Sequence, residues 1–223
     1  MAFTQKLIDV TFTLGEGTFG DGGANTTKLS GLRVSAKVTK AGGISMNQLD
    51  ADIFGMTLSD MNKLSTLGMD VILTRHNSIL LEAGDADSGM STVFDGTITD
   101  AWVDGNAAPE VAFRVTGQTG LIDAVSRLAP SSYKGPVDVA DIMASLATKM
   151  GRPFENNGVH VTLDSQYLWG SPRNQAAKAA VTANISWMID DKSLAIWPRR
   201  QARGTGRRSR DRPIAALPAR ARR

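Results

Sequence analysis

The spacing of apolar residues differs between the two halves of this chain. In the N-terminal half apolar and polar residues alternate, which predicts half-buried strands. In "LIDVTFTLG", every second residue is apolar: Ile8, Val10, Phe12 and Leu14. The stretches "LRVSAKVTK", "NQLDADI", "STVFDGTITDAWVDG" and "PEVAFRVTG" follow the same pattern. A period of two places one face of each strand on a core. Short strands at this spacing predict that residues 1–116 form a mainly antiparallel, β-barrel-like domain.

One helix interrupts these predicted strands. The segment "MTLSDMNKLSTLG" places four apolar residues on one helical stripe: Leu58, Met61, Leu64 and Leu67. Thr57 or Ser59 is expected to cap the start of the helix, and Gly68 to end it. Strands are expected to resume over "MDVILTRHNSILLEAG", with a turn at His76-Asn77.

The second half of the chain changes to a helical period. "DVADIMASLATKMG" predicts a helix that ends at Gly151, with a buried face of Val139, Ile142, Met143, Leu146 and Met150. Ser171 followed by Pro172 predicts the start of another helix, and "TGLIDAVSRLA" a short one. "NNGVHVTLD" reads as a strand, and "ISWMIDDKSLAIW" as a hairpin around Asp191-Lys192. Residues 117–198 are therefore predicted to form a small α+β domain, which makes the chain α+β overall.

Charge is distributed very unevenly along the sequence. Residues 199–223 contain ten arginines, no lysine and one acid, Asp211, whereas the whole chain has 25 basic and 22 acidic residues. Residues 1–198 therefore hold 15 basic and 21 acidic residues, a net charge of −6. Such dense like charge with little apolar surface predicts a disordered tail over 199–223. The basic isoelectric point consequently belongs to the tail and says nothing about the body.

Composition excludes several classes of site. The chain has no cysteine, which rules out disulfides and thiolate metal ligands. No apolar run reaches the about 20 residues that a helix needs to span a bilayer, and "MAFTQKLIDVTFTLG" lacks the pattern of a signal peptide. We therefore expect neither a membrane span nor secretion.

The motif that most resembles a catalytic signature is "LGEGTFG". Gly15, Gly17 and Gly20 form G-x-G-x-x-G, and Lys37 follows in "VSAK", as in the phosphate-binding loop and lysine of a protein kinase. The sequence has neither the H-R-D nor the D-F-G motif that kinase chemistry also needs. We interpret this loop, which runs on through "DGGANTT" to residue 27, as a long hairpin connection and expect no nucleotide site there.

Other polar residues that could form sites lack the partners that the chemistry requires. Asp85 and Asp87 have calcium-loop spacing, but Gly96 occupies the position of the bidentate glutamate, so a turn is expected. Asp50 and Asp52 share one strand face, which we interpret as an exposed polar face. The histidines and tryptophans are scattered without ligand spacing: His76, His160, Trp102, Trp169, Trp187 and Trp197. We therefore predict no catalytic, cofactor-binding or metal-binding residues, no cofactor and no enzymatic activity.

The order of the segments resembles baseplate hub proteins of tailed bacteriophages, including Mu-like and prophage tail hubs. "GLRVSAKVTKAGGISMNQLDADIFGMTLSDMNKLSTLG" and "TDAWVDGNAAPEVAFRVTGQTG" are similar to parts of their N-terminal β-domain. "VADIMASLATKMGRPFENNGVHVTLDSQYLWGSP", followed by "ISWMIDDKSLAIWP", is similar to the helix-containing domain that comes next. The likeness covers about residues 5–198 in the same order.

This resemblance implies a structural protein rather than an enzyme. Hub proteins of this kind form homotrimers whose β-domains join into a ring that connects the tail tube to the tail tip or spike. The implied partners are these other tail proteins, and the implied location is the virion tail, assembled in the host bacterial cytoplasm. DNA passes through such a ring without specific binding, and a body of net charge −6 suits that passage because it repels phosphate.

The arginine-rich end departs from the family pattern and leaves a second hypothesis open. Family members continue past the Trp197-Pro198 position into further β structure, whereas here "RRQARGTGRRSRDR" begins. A shifted reading frame would explain the change of composition, and the chain would then be a truncated hub subunit. The alternative is a nucleic-acid-binding protein that acts through the arginine-rich tail, with salt-dependent, sequence-independent affinity.

Overall fold

The computed structural model describes residues 5–20, 23–66, 76–85, 87–191 and 193–203. Seven strands of the first domain form one sheet, in which every neighbouring pair is antiparallel and the order is β2-β1-β5-β6-β7-β4-β3. The strands are β1 (Lys6–Thr13), β2 (Thr26–Ser30), β3 (Arg33–Thr39), β4 (Gln48–Phe54), β5 (Ser78–Asp85), β6 (Gly89–Asp104) and β7 (Ala112–Gln118).

Chain connectivity shows that this sheet is strongly curved. Strands β2 and β3 form its two edges, and in a flat seven-stranded sheet they would lie about 29 Å apart. The chain passes from Ser30 to Arg33 through Gly31 and Leu32, a path of at most about 11 Å. The edges must therefore approach each other. Among the described residues β2 and β3 do not pair, so the sheet is barrel-like but open.

Six antiparallel steps across the sheet make the two edge strands run in the same direction. Residues 26–39 thus form one strand path that leaves one edge at Ser30 and joins the other at Arg33. Gly31 lies between them with φ of 73°, a left-handed conformation that glycine adopts without a steric penalty. This single residue allows the chain to change edges.

The concave side of the sheet encloses the core of the first domain. The alternating residues predicted from the sequence point inward, and sixteen buried residues form one cluster that includes Val10, Phe12, Leu49, Ile53 and Phe113. The rings of Phe12 and Phe113 meet edge to face, with centroids 6.3 Å apart. Helix α1 (Leu58–Leu64) adds Met61 and Leu64 to this core.

The second domain is a small α+β unit, as predicted. Its elements are α2 (Leu121–Val125), β8 (Ser131–Ser132), β9 (Pro136–Asp138), α3 (Val139–Lys149), β10 (Phe154–Asn156), β11 (Thr162–Asp164), β12 (Tyr167–Leu168), α4 (Pro172–Thr182), β13 (Ile185–Ile189) and β14 (Leu194–Pro198). Strands β10, β14 and β13 form a sheet in that order. Helices α3 and α4 contribute to one core with β13 and β14.

Most element ends agree with the sequence predictions. The side chain of Thr57 accepts a hydrogen bond from the Asp60 N–H and caps α1, which decides between Thr57 and Ser59. Ser171 caps α4 with Pro172 in the first turn, and Gly151 follows α3 with φ of 67°. The hairpin of β13 and β14 is confirmed. Gly68 and the predicted strand residues 69–75 lie outside the described residues.

The single strand predicted over "NNGVHVTLD" is wrong. Within this segment only Asn156, the last residue of β10, and Thr162–Asp164 are in strands, because a turn interrupts the segment. The Asn156 side chain accepts a hydrogen bond from the Val159 N–H, and Gly158 has φ of 83°. Asparagine favours turns because its side chain hydrogen-bonds nearby backbone groups, and glycine because it adopts positive φ. In this segment these two turn preferences outweigh the strand preference of the alternating apolar residues.

The start of the arginine-rich segment lies against the second domain. Arg199 donates a hydrogen bond to Asn184, and Arg203 contacts Glu155 and Asp190. The sequence prediction, which assigned 199–223 to a tail, did not anticipate these contacts. Residues 204–223 lie outside the described residues, so the disordered tail stays a prediction for them.

Candidate assembly interface

The glycine-rich loop forms the connection of a hairpin. Residues 14–25 join β1 to β2, with backbone hydrogen bonds from Leu14 N to Asn25 O and from Phe19 N to Ala24 O. Lys63 donates to the Thr18 carbonyl at 2.9 Å, and the exposed Lys37 lies on β3. These contacts agree with the hairpin interpretation. The absence of a nucleotide site stays a prediction.

Asp85 organises the turn that was compared with a calcium loop. One of its carboxylate oxygens accepts hydrogen bonds from the N–H of Asp87 and from the N–H and hydroxyl of Ser88. The other oxygen pairs with Lys6 Nζ at 2.7 Å. The hydrogen bond from Lys6, followed by those from Ser88, holds the pKa of Asp85 well below its usual range. This carboxylate therefore stabilises a β-turn.

The convex face of the sheet is polar and predominantly acidic. Strand register places seven carboxylates on it, those of Asp9, Asp50, Asp52, Glu82, Asp95, Asp100 and Asp104. The same face carries four cationic side chains, those of Lys28, Arg33, Lys37 and Arg114. An excess of negative charge remains on this face.

Several of these charges form cross-strand ion pairs. Lys28 lies 2.8 Å from Asp9 and 3.5 Å from Glu82, and its hydrogen bond lowers the pKa of Asp9. Arg114 lies 2.8 Å from Asp104 and 3.6 Å from Asp52. The paired carboxylates Asp50 and Asp52 are thus part of a polar sheet face, as interpreted from the sequence.

The two edge strands offer backbone groups for pairing with another chain. The outer edge of β2 and that of β3 have no strand partner among the described residues. On β3 four residues are exposed at one face: Arg33, Ser35, Lys37 and Thr39. An edge with unpaired N–H and C=O groups is a template for adding a strand. These edges are the candidate assembly interface of the first domain.

The loop between β3 and β4 joins the two domains. Lys40 Nζ lies 2.6 Å from an Asp191 oxygen, and Gly43 N–H donates to the Trp187 carbonyl at 2.7 Å. The buried Arg173 donates to the carbonyl of Ile44. Strand β6 of the β-domain contributes as well, because the Asp95 N–H donates a hydrogen bond to Asp191 at 3.2 Å.

Asp191 accepts two of the hydrogen bonds at this junction, those from Lys40 and from the Asp95 N–H. Its side chain is 13% exposed, and burial raises its pKa, while the hydrogen bond from Lys40 opposes that rise. A cleft of about 570 Å³ lies beside it and is lined by both domains, among others by Ser78, Thr97, Ile122 and Arg152. The lining is mixed in charge and contains no cluster of metal-binding residues.

The remaining candidate residues are dispersed. His160 lies 3.9 Å from Asp138, and His76 is in the connection before β5. Of the tryptophans, Trp187 is in the core of the second domain, whereas Trp102 and Trp169 are exposed. Within the described residues no group of three potential ligands could hold a metal ion, and no helix is long and apolar enough to cross a bilayer.

Neither a protein-family model nor a curated protein matches the sequence. Solved structures do match the fold. A tail protein from Neisseria meningitidis superposes with a TM-score of 0.55 at 13% identity, over 88% of this chain and 56% of that one. The 43 kDa tail protein of prophage MuSo2 from Shewanella oneidensis gives 0.53 at 12% identity, over 86% and 55%.

A third solved structure matches with similarly low identity and similar coverage. Prophage tail protein gp18 from Listeria monocytogenes gives a TM-score of 0.50 at 9% identity, over 86% of this chain and 51% of that one. The chain therefore has the fold of prophage tail proteins and spans about half the length of those it matches. The resemblance drawn from the sequence is confirmed at the level of the fold.

Proposed function

We propose that this chain is a structural subunit of a phage or prophage tail hub and has no catalytic role. The observation that carries the proposal is the fold. The β-domain and the α+β domain together match three tail proteins, two of them from prophages, over 86% to 88% of the chain. The proposed location is the virion tail, after assembly in the bacterial cytoplasm, with tail-tube and tail-tip proteins as partners.

The open edges support assembly into a ring. In a closed ring each subunit presents one surface to one neighbour and a different surface to the other. Strands β2 and β3 are two such surfaces, because they are different edges of the same sheet. In the proposed ring, β2 of one subunit pairs with β3 of the next, and the number of subunits is three, the homotrimer that the resemblance to hub proteins implies.

The acidic convex face supports passage of DNA without binding. Seven carboxylates against four cationic groups leave a net negative surface on the sheet. A lumen lined by such a surface repels the phosphate backbone, whereas a basic lumen would hold it through counterion release. In the proposed ring this face lines the channel.

Crosslinking tests the ring directly, because the chain has no cysteine of its own. Thr26→Cys marks the edge strand β2 and Lys37→Cys marks β3. When the two single variants are mixed and treated with a short bismaleimide, we expect T26C to crosslink to K37C. The chain with both substitutions should give a ladder that ends at three chains. Val181→Cys, on the 79% exposed Val181 of α4, is the matched control.

Two results would contradict the heterologous ring. One is that crosslinked pairs form only between identical variants, as in a two-fold dimer. The other is that the variant with both cysteines yields no product beyond crosslinks within one chain. If V181C crosslinks as readily as the edge variants, the contact is nonspecific.

The nucleic-acid-binding function remains the second proposal, because ten arginines follow residue 198. Deletion of residues 204–223 keeps Arg203 and separates the two functions. Under the hub proposal the shortened chain assembles like the full chain and does not bind DNA. Fluorescence anisotropy with labelled DNA, together with the mass in solution, measures both properties. If the shortened chain loses both assembly and DNA binding, the nucleic-acid-binding hypothesis is favoured.

A further inference from the structure

Among the described residues of the arginine-rich segment, 199–203, Arg203 makes the most extensive side-chain contacts. Its Nη1 donates to Asp190 at 2.6 Å, and its Nη2 donates to Glu155 and, at 3.3 Å, to the Ser193 hydroxyl. Nε lies 3.4 Å from the second Glu155 oxygen. The side chain is 23% exposed. A planar guanidinium that contacts two carboxylates in this way is held in a defined orientation.

These contacts bridge the sheet of the second domain. Glu155 belongs to β10, whereas Asp190 and Ser193 belong to the turn between β13 and β14. Strand β14 lies between β10 and β13, so Arg203 spans the width of the sheet at this end. The hydrogen bond from Arg203 lowers the pKa of Glu155. The guanidinium therefore fixes the position of the turn relative to β10.

The same turn carries the principal polar contact with the β-domain. Asp191, next to Asp190, pairs with Lys40 and accepts the Asp95 N–H. Lys40 also lies 3.6 Å from Asp190, so the two domains share one charge cluster. The cluster contains three carboxylates, those of Glu155, Asp190 and Asp191, and two cations, Lys40 and Arg203.

Among the described residues of this cluster, removal of Arg203 would leave one lysine, Lys40, for three carboxylates. Burial disfavours the ionised form of Asp190, and the Asp191 N–H and Arg203 offset that penalty and lower its pKa. Without Arg203, Asp190 and Glu155 lose their shared cation, and Asp190 competes with Asp191 for Lys40. Both effects loosen the turn and weaken the contact of Asp191 with the β-domain.

We infer that Arg203 is a positioning residue that holds the β13–β14 turn and, through Asp191, the junction between the two domains. Residues 199–203 then belong to the folded second domain and stabilise it. The arginine-rich segment has two sections, of which the first takes part in the fold.

Hydrogen exchange of the full chain tests this inference. The Gly43 and Asp95 amides report the junction, because their acceptors are Trp187 O and Asp191. In Arg203→Ala we expect both amides to exchange about tenfold faster, since a lost hydrogen bond to a charged group shifts an opening equilibrium by about that factor. Arg203→Lys, which keeps the charge but not the fork, should have a smaller effect. Arg200→Ala, which removes a neighbouring exposed arginine, is the matched control.

Amides in the β1 strand serve as an internal reference for global unfolding. Faster exchange at Gly43 and Asp95 with unchanged β1 protection supports the inference. It is overturned if R203A changes exchange only within residues 199–203, or if R200A has the same effect as R203A. If R203A unfolds the domain, Glu155→Gln provides the second variant, because it removes the charge at the β10 end of the contact while Asp190 and Asp191 keep theirs, and it should accelerate the same two amides.

Discussion

At the scale of single residues, Gly96 is a position where the sheet leaves no room for a side chain. A Cβ added there would lie 2.7 Å from the Phe94 ring and 2.8 Å from the Gln118 carbonyl oxygen. Neither neighbour can withdraw easily, because Phe94 is fully buried and Gln118 is in β7. The sequence contains 22 glycines and does not distinguish this one from those in turns.

We expect Gly96→Ala to lower the free energy of unfolding by about 1–3 kcal/mol, the range for an overpacked core. Gly105→Ala is the control, because a Cβ at Gly105 meets no atom within 4 Å. Urea unfolding of the two variants and the parent chain measures the difference. Equal stability of G96A and G105A would show that the strands near Gly96 are less closely packed than described.

Asp85 gives a pH-dependent prediction at the same scale. Its pKa is lowered in the folded state, so its stabilising contribution is complete above its pKa in the unfolded chain, about 3.9. The contribution is lost as pH falls from there through the folded pKa. Asp85→Asn should therefore be less stable than the parent at pH 7 and pH 5, and the difference should shrink below about pH 4. Denaturant midpoints at several pH values test this, and a difference that grows on acidification would contradict it.

Lys6, the partner of Asp85, could not have been predicted from the sequence. The two residues are 79 positions apart, and only the pairing of β1 with β5 brings them together. The turn itself was predicted, because its residues are local. The sequence therefore predicts a turn whose partners are neighbours in the chain, but not an ion pair that strand pairing brings together.

At the scale of elements, the ends of helices follow local chemistry. Thr57 has an extended backbone, and its hydroxyl oxygen lies 3.2 Å from the Asp60 nitrogen, the geometry of an N-cap. Ser59 lies inside the first turn and cannot act in this way. The sequence offered both residues, and only the backbone conformation distinguishes them.

We expect Thr57→Ala to cost about 1 kcal/mol of stability, as is typical of N-cap removal. Ser59→Ala should cost less than about 0.5 kcal/mol, like other surface changes. Thermal or urea unfolding compares the two variants. A larger loss for S59A than for T57A would mean that the helix starts later than Leu58.

The length of a strand decides whether it can be predicted from the sequence. Strands β1, β4 and β7 have seven or eight residues, enough to show an alternating pattern, and their buried faces were predicted. Strands β8 and β12 have two residues each, and they exist because Tyr167 and Leu168 pair with Ser132 and Ser131. Such bridges depend on tertiary contacts and leave no periodic signal.

At the scale of the whole molecule, the curvature and the charge of the sheet are the features on which the proposed assembly rests. The sheet is curved so that its two edges approach each other, and residues 26–39 pass from one to the other at Gly31. The sequence predicted a barrel-like domain but not this crossing, since strand order depends on long-range pairing. The contacts of Arg203 were also missed, because composition describes residues 199–223 as one solvated segment.

Sedimentation equilibrium of the full chain tests the central claim, which is assembly of a tail hub ring through the sheet edges. Nuclease treatment and high salt are needed, because we expect ten arginines after residue 198 to attract nucleic acid nonspecifically. We expect the average mass in solution to rise with protein concentration to a limit of three chains, each of 23.7 kDa. A mass of one chain at every concentration up to the solubility limit would contradict it.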